Sequence, residues 1–259
     1  MRPLLRDKAL FLFDLDGVFY KGKESRVKIG GMGVVEALRA KGKKLFILTN
    51  NSTDSAKTVH SRLLEFDIPV REDEVLTSGL LTAEYLRERF GRVTYFLVGE
   101  EGLDVEMKGH GHRRTEGEQA DFVVVGLDRR LTYEKLDHAA RLARNGARIV
   151  ATHVSRLYMY KSGPAMATGP LVKAIEYASS KRATVIGKPS SLMFKIALGR
   201  AGCSGDRAVM VGDQVDTDIE GAARAGIDAI LVTSGVDKDA KGFRLLAKLP
   251  SVDALVPML

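Results

Sequence analysis

Eight short runs of apolar and β-branched residues recur along this chain, and almost none of them alternates with polar residues. They lie at 9–14, 44–49, 93–98, 121–126, 148–152, 184–186, 208–212 and 229–232. A strand with one wet face alternates; a strand covered on both faces does not. Helical patterns fill the intervals. Residues 33–40 stop at Gly42. Residues 132–145 open on a capping Thr132, set Leu136, Ala139, Ala140 and Ala143 on one stripe, and stop at Gly146. Residues 190–200 follow Pro189 and end near Gly202. Buried strands alternating with helices dictate an α/β fold with mostly parallel sheets and right-handed crossovers. The 259 residues suffice for one large domain or two modest ones.

A formal net charge of +7 admits an anionic partner. The basic residues are scattered among the acidic ones, and no basic run carries interleaved aromatics, so no nucleic-acid partner is expected. A small anionic substrate fits the charge equally well. Cys203 is the single cysteine, which excludes an internal disulfide framework and a cysteine-rich zinc site and suits a reducing compartment. The first residues are basic and then apolar, but the apolar run stops at Asp14 with no small-residue cleavage site, so a signal peptide is not expected. No stretch approaches the ~20 apolar residues of a membrane span. The expectation is a soluble, cytoplasmic protein with no membrane partner. Residues 107–121 are polar and rich in Gly and His and read as a loop. His110 and His112 lack a third ligand nearby, so they read as part of a solvated loop rather than a metal pair.

In open parallel sheets, ligands sit beyond the carboxyl ends of the strands. Four strand ends carry chemically capable residues: Asp14-Leu15-Asp16-Gly17, Thr49-Asn50-Asn51-Ser52, Gly187-Lys188-Pro189-Ser190, and Gly212-Asp213 with Asp218 five residues on. Each alone has an ordinary structural explanation as a turn or a helix cap. Together they would gather Asp14, Asp16, Asp213 and Asp218 in one crevice. Two carboxylates about 4 Å apart repel by ~4 kcal/mol at an effective dielectric near 20, so a cation belongs among them. Oxygen-only ligands suit Mg²⁺. Lys188, the Thr49 hydroxyl and the amides that follow it suit a phosphate.

The segments DLDGV, LTNNS, GKPS and GDQVDTDI, in this order, resemble the four motifs of the haloacid dehalogenase superfamily of phosphohydrolases. TNNS, VVGLDRRLTYEKL and GDQVDTDIEGAARAGI look like its NagD-like branch, which includes 4-nitrophenylphosphatases and pyridoxal phosphate phosphatases. The resemblance runs from residue 9 to about 236. It implies a Mg²⁺-dependent phosphomonoester hydrolase acting on a small phosphorylated metabolite. Asp14 matches the nucleophile that becomes an aspartyl phosphate, and Asp16 the general acid and base. Lys188 matches the residue that bridges nucleophile and phosphate. Thr49 and Asn50 match phosphate-binding positions, with Asn51 beside them. The metal residues implied are Asp14, Asp213 and, through its main-chain carbonyl, Asp16, with Asp218 supporting the water shell.

The resemblance also implies a Rossmann-like parallel-sheet core, residues 1–79 plus 183–259, with an α/β cap domain of residues 80–182 inserted between the second and third motifs. Roughly 140 residues separate Thr49 from Lys188, far more than one βαβ unit needs. Caps of this type often pair in dimers, so the resemblance admits a homodimer through the cap and leaves the oligomeric state open. Where the branch shows Asn, Pro, Asp after the strand at 148–152, this chain has His153, Val154 and Ser155; Gly169 of the following MATGP is retained. His153 is therefore a candidate substrate contact, weighed against a satisfied polar residue at a strand end. A phosphoryl transferase or mutase on the same fold, or a non-catalytic metabolite-binding module, are the alternative functions.

Overall fold

The computed structural model describes residues 5–21, 27–160 and 163–259. Its strands are β1 (Leu10–Phe13), β2 (Lys44–Thr49), β3 (Val75–Thr77), β4 (Thr94–Val98), β5 (Arg113–Arg114), β6 (Phe122–Val125), β7 (Arg148–Ala151), β8 (Leu157–Tyr160), β9 (Gly163–Met166), β10 (Ala183–Val185), β11 (Ala208–Gly212), β12 (Asp228–Val232) and β13 (Ala247–Leu249). Its helices are α1 (Met32–Ala40), α2 (Ala56–Glu65), α3 (Ser78–Phe90), α4 (Glu101–Gly109), α5 (Tyr133–Arg144), α6 (Thr168–Ser179), α7 (Ser191–Ala201) and α8 (Glu220–Arg224), the last preceded by a π-helical turn, Val215–Ile219. All eight apolar runs are strands, displaced by at most a residue or so at an end. Among the described residues, no helix is long and apolar enough to cross a membrane.

The chain divides into two compact units. One comprises the described residues of 1–49, 59–76 and 188–259; the other comprises 50–58 and those of 77–187. These divisions fall at 76/77 and 187/188, beside the 79/80 and 182/183 read from sequence, and they add residues 50–58 to the second unit.

The first unit is built on the sheet β13-β12-β11-β1-β2-β3. β1 lies at its centre, parallel to β11 on one side and β2 on the other, with Phe13 opposite Val211 and Ile47. Every residue of β1 and β11 is buried. That is the environment their unbroken apolar runs require, and each fully buried Leu, Phe or Val there contributes ~1.5–3 kcal/mol of transfer free energy. Ser190, read from sequence as the first residue of its helix, is instead the N-cap and accepts the Leu192 N–H at 3.3 Å, while Gly202 closes α7 in the left-handed conformation where the sequence ends that helix.

The second unit carries its own all-parallel sheet, β10-β7-β6-β4-β5. Thr132 caps α5 by accepting the Lys135 N–H, and the stripe of that helix packs Ala139, Leu142 and Ala143 against Val123, Val125 and Ile149. β8 and β9 form a separate antiparallel hairpin.

Residues 107–121 correct the loop reading. Residues 107–109 complete α4, and Arg113–Arg114 is an edge strand beside β4. His112 is buried, not solvated: its Nδ1 accepts the Val93 N–H at 3.3 Å and its Nε2 pairs with Ala83 O at 3.0 Å. Burial, the largest influence, holds its pKa below the ordinary histidine value. His110 instead pairs Nδ1 with Glu106 O at 2.8 Å, so the two imidazoles serve separate main-chain carbonyls.

Candidate active site

The order β2-β1-β11 sets three strand ends side by side. Asp14 follows β1 directly, its N–H bonded to Val211 O at 3.0 Å; Asp213 follows β11; Thr49 is the buried last residue of β2. Side chains at neighbouring parallel strand ends converge because the register aligns them, whatever their distance in sequence.

Ligand oxygens of Asp14, Asp213 and Asp218 all lie within 4.8 Å of one another, and all three residues are buried. Lys188, 1% exposed, reaches into this cluster. Its Nζ donates to Asp14 Oδ1 at 2.6 Å and to Asp218 Oδ1 at 2.7 Å. Asp218 Oδ2 accepts the Gln214 N–H at 3.1 Å, so this carboxylate is oriented by its own π-helical turn while it grips the lysine. Asp213 Oδ2 accepts the Val236 N–H at 2.8 Å, but its Oδ1 is buried with no hydrogen-bond partner. Gly17 and Gly235 crowd Asp213 from two sides. A Cβ at either would overlap its Oδ2, and Gly17 also holds φ at +79°, which glycine adopts at little cost.

The electrostatics follow from crowding. Burial, then the charge of Asp14, raises the carboxyl pKa values of Asp213 and Asp218 above the usual range. For Lys188 burial works against the charge, but the coulombic pull of Asp14 and Asp218 outweighs it and the pKa rises. Burial and mutual repulsion thus penalise charge on these carboxylates, and one ammonium cannot offset all three. That penalty, the orphaned Asp213 oxygen and the all-oxygen donor set fit a hard divalent cation.

Asp14, Asp16, Thr49, Lys188, Asp213 and Asp218 belong to the first unit. Asn50, Asn51 and His153 belong to the second. Asn51 Oδ1 accepts the N–H groups of Thr53 and Asp54 at 2.9 and 3.0 Å, and its Nδ2 donates to Asp54 Oδ2, so this side chain shapes its own loop. His153 is buried. Its Nδ1 accepts the Ser155 N–H at 3.3 Å, which leaves Nε2 to donate to Thr168 Oγ1 at 3.0 Å. His153 thereby ties the turn after β7 to the start of α6.

The sequence reading passed over the segment after β12. Ser234 Oγ donates to Gly17 O at 2.7 Å, the Asp237 N–H donates to Asp213 O at 3.0 Å, and Asp237 Oδ2 accepts the Val215 N–H at 2.7 Å. This loop buttresses the acidic cluster. Its signal was present: Thr-Ser-Gly at another strand end, open to the rule applied to the other four.

Comparison with known proteins agrees with this geometry. Residues 11–113 match the model of the haloacid dehalogenase-like hydrolases, and residues 185–251 match a second haloacid dehalogenase-type hydrolase model. The chain is 34% identical over 228 residues to the 5'-nucleotidase YutF of Bacillus subtilis, covering 88% of each. It is 34% identical over 226 residues to an acid sugar phosphatase of Staphylococcus epidermidis, covering 87% of this chain and 86% of the relative. The structure superposes on a 4-nitrophenylphosphatase from Thermotoga maritima with a TM-score of 0.91 at 33% identity, covering 98% of both chains. It matches a putative nagD protein with a TM-score of 0.89 at 34% identity, covering 97% of this chain and 98% of that one. With its strand-end carboxylates, its buried lysine and these relatives, the chain belongs to the haloacid dehalogenase-like hydrolases, within their NagD-like phosphatase branch.

Proposed function

We propose that this chain is a Mg²⁺-dependent phosphatase that hydrolyses monoesters of small phosphorylated metabolites through a phosphoryl-Asp14 intermediate. The observation that carries the reading is Lys188, whose buried ammonium bridges Asp14 and Asp218 beside the partnerless oxygen of Asp213. The relatives are named for a nucleotide, for sugars and for a nitrophenyl ester. Those names share the phosphoryl group and differ in the leaving group.

A carboxylate oxygen of Asp14 attacks phosphorus, the bond from phosphorus to the ester oxygen breaks, and Asp16 gives that oxygen its proton. Asp16 then takes a proton from water as the water oxygen attacks phosphorus. The Asp14–phosphorus link breaks, and inorganic phosphate leaves with Asp14 again a carboxylate. Lys188 holds the Asp14 carboxylate in place and offsets charge on the phosphoryl oxygens, while Thr49 and Asn50 offer them donors. Asp14, Asp213 and the Asp16 carbonyl would hold the metal, with Asp218 supporting its water shell; when bound, it supplies the remaining positive charge that the crowded carboxylates and the phosphate demand. Asn51 and His153 act indirectly in this reading, through the loop and the turn that they shape.

The single cysteine fits a reducing compartment, which favours the cytoplasm. Pairing of two copies through the second unit is supported by one face of the β8–β9 hairpin, where Leu157, Met159 and Met166 are all exposed.

The test is brief incubation with a radiolabelled phosphomonoester and Mg²⁺, without an added acceptor, followed by denaturation. Label retained on the wild-type chain and absent from D14N is the expected result. Steady release of phosphate with label on neither protein would rule out the covalent intermediate, and no release at all would rule out the hydrolase.

A further inference from the structure

The chain leaving Thr49 is held by groups far from it in sequence. Glu106, buried on α4, accepts the Ala56 N–H at 2.7 Å, the first amide of α2. The leading amides of a helix have no partner within it. Ser55 Oγ serves the Thr58 amide, and Glu106 serves that of Ala56. One turn earlier on α4, the Gly102 N–H donates to Thr53 O at 3.2 Å, and a Cβ on Gly102 would overlap the Asp54 main chain. Positions 102 and 106 are spaced i, i+4 and share a helix face. Ser78 directs its hydroxyl at Asn50 O and Asn51 O, 2.9 and 3.1 Å away, and Ser52 Oγ accepts the Leu127 N–H at 3.3 Å. Residues 50–56 are therefore pinned along their whole course by groups of the second unit.

We propose that Glu106 is a positioning residue for phosphate recognition. By fixing Ala56 it fixes the path of residues 50–56, and with it the donors that Asn50 presents. The inference rests on the reading of Asn50 as a phosphate contact. A carboxylate that merely capped a helix would contribute to stability and leave affinity alone; one that sets the loop acts on affinity as well.

The experiment compares E106A, which removes the acceptor, with E106Q, which keeps a carbonyl oxygen at the same reach. The readouts are kcat and KM for 4-nitrophenyl phosphate, Ki for inorganic phosphate, and Tm, all at saturating Mg²⁺. E106A is expected to raise KM and Ki together by about 5–20-fold while kcat changes less than about threefold, with E106Q within about twofold of wild type. In an N50A background E106A should add less than about twofold, since both act on one contact. G102A, which displaces the same stretch from the adjacent turn, should give the same signature and stands in if E106A does not fold. Unchanged KM and Ki in E106A, equal losses in E106A and E106Q, or full additivity with N50A would each overturn the positioning role while N50A itself remains impaired. An N50A protein that binds phosphate like wild type would instead overturn the reading of Asn50, and the proposal with it.

Discussion

The ammonium of Lys188 lies 2.6 Å from Asp14 Oδ1 although 174 positions separate the two residues. With Asp218 on its other side, this lysine is the one cation among the described residues that touches the acidic cluster. Its removal should therefore cost both chemistry and stability. K188M is expected to lower kcat by at least ~10³ and to destabilise the metal-free protein by ~3–5 kcal/mol, the scale of breaking a buried ion pair. Added Mg²⁺ should recover part of the Tm but not the rate. Phosphatase assays and thermal melts with and without metal decide it; a variant as stable as wild type would mean that the carboxylates do not need the lysine.

Asp213 gives a prediction of opposite sign for stability. In metal-free protein its buried carboxylate is pressed against Asp14 and Asp218, so D213N should raise Tm by relieving repulsion. With Mg²⁺ bound as proposed, wild type should gain Tm from the ion, because binding to the folded state stabilises it, and D213N should lose that gain. Differential scanning calorimetry with and without Mg²⁺ reads both effects. A D213N protein that still gains stability from Mg²⁺ would remove Asp213 from the metal site.

The nucleophilic role proposed for Asp14 is tested by substitution at constant shape. D14N should keep the fold and lose at least ~10³ in kcat, since an amide cannot form the acyl phosphate. Activity within tenfold of wild type would exclude Asp14 from the covalent step.

His112 introduces a pH dependence in the second unit. Its folded pKa is depressed, first by burial and then by the neighbouring His110 and Arg87, against the opposing hydrogen bond to Ala83 O. The unfolded chain then binds the proton more readily. The stability it contributes is fully present above the ordinary histidine pKa of ~6.5 and is lost as pH falls below that value toward the folded one. H112N keeps an acceptor for the Val93 amide and cannot titrate. Its stability should fall less than that of wild type between pH 7 and pH 5, by urea unfolding; parallel curves would show that His112 stays neutral in both states or charges equally in both.

If copies pair through the hairpin face of Leu157, Met159 and Met166, then M159E should yield monomers with unchanged kcat. Analytical ultracentrifugation of both proteins tests it. A wild-type chain that sediments as a monomer at high concentration would remove the pairing.

Local order did much of the work in this protein, and its limits are physical. Unbroken apolar runs announced buried parallel strands, and a cap such as Thr132 announced a helix start, because those preferences act within a few residues of chain. The carboxylates of Asp14 and Asp213 and the ammonium of Lys188 were legible for the same reason: each follows its strand within a recognisable motif. The short strands β3, β5, β8, β9 and β13 were not legible, since two to four residues at a sheet edge or in a hairpin carry too little pattern to separate from a turn. His112 looked solvated amid Gly and Arg; only folding set its ring between Val93 N–H and Ala83 O, and desolvation then moved its pKa. The pairing of Asp218 with Lys188, the buttress from Ser234 to Asp237 around Asp213, and the grip of Glu106 on Ala56 all join residues remote in sequence. A hydrogen bond acts over about 3 Å, so its partner across such a gap is decided by the tertiary fold and not by any nearby stretch of chain.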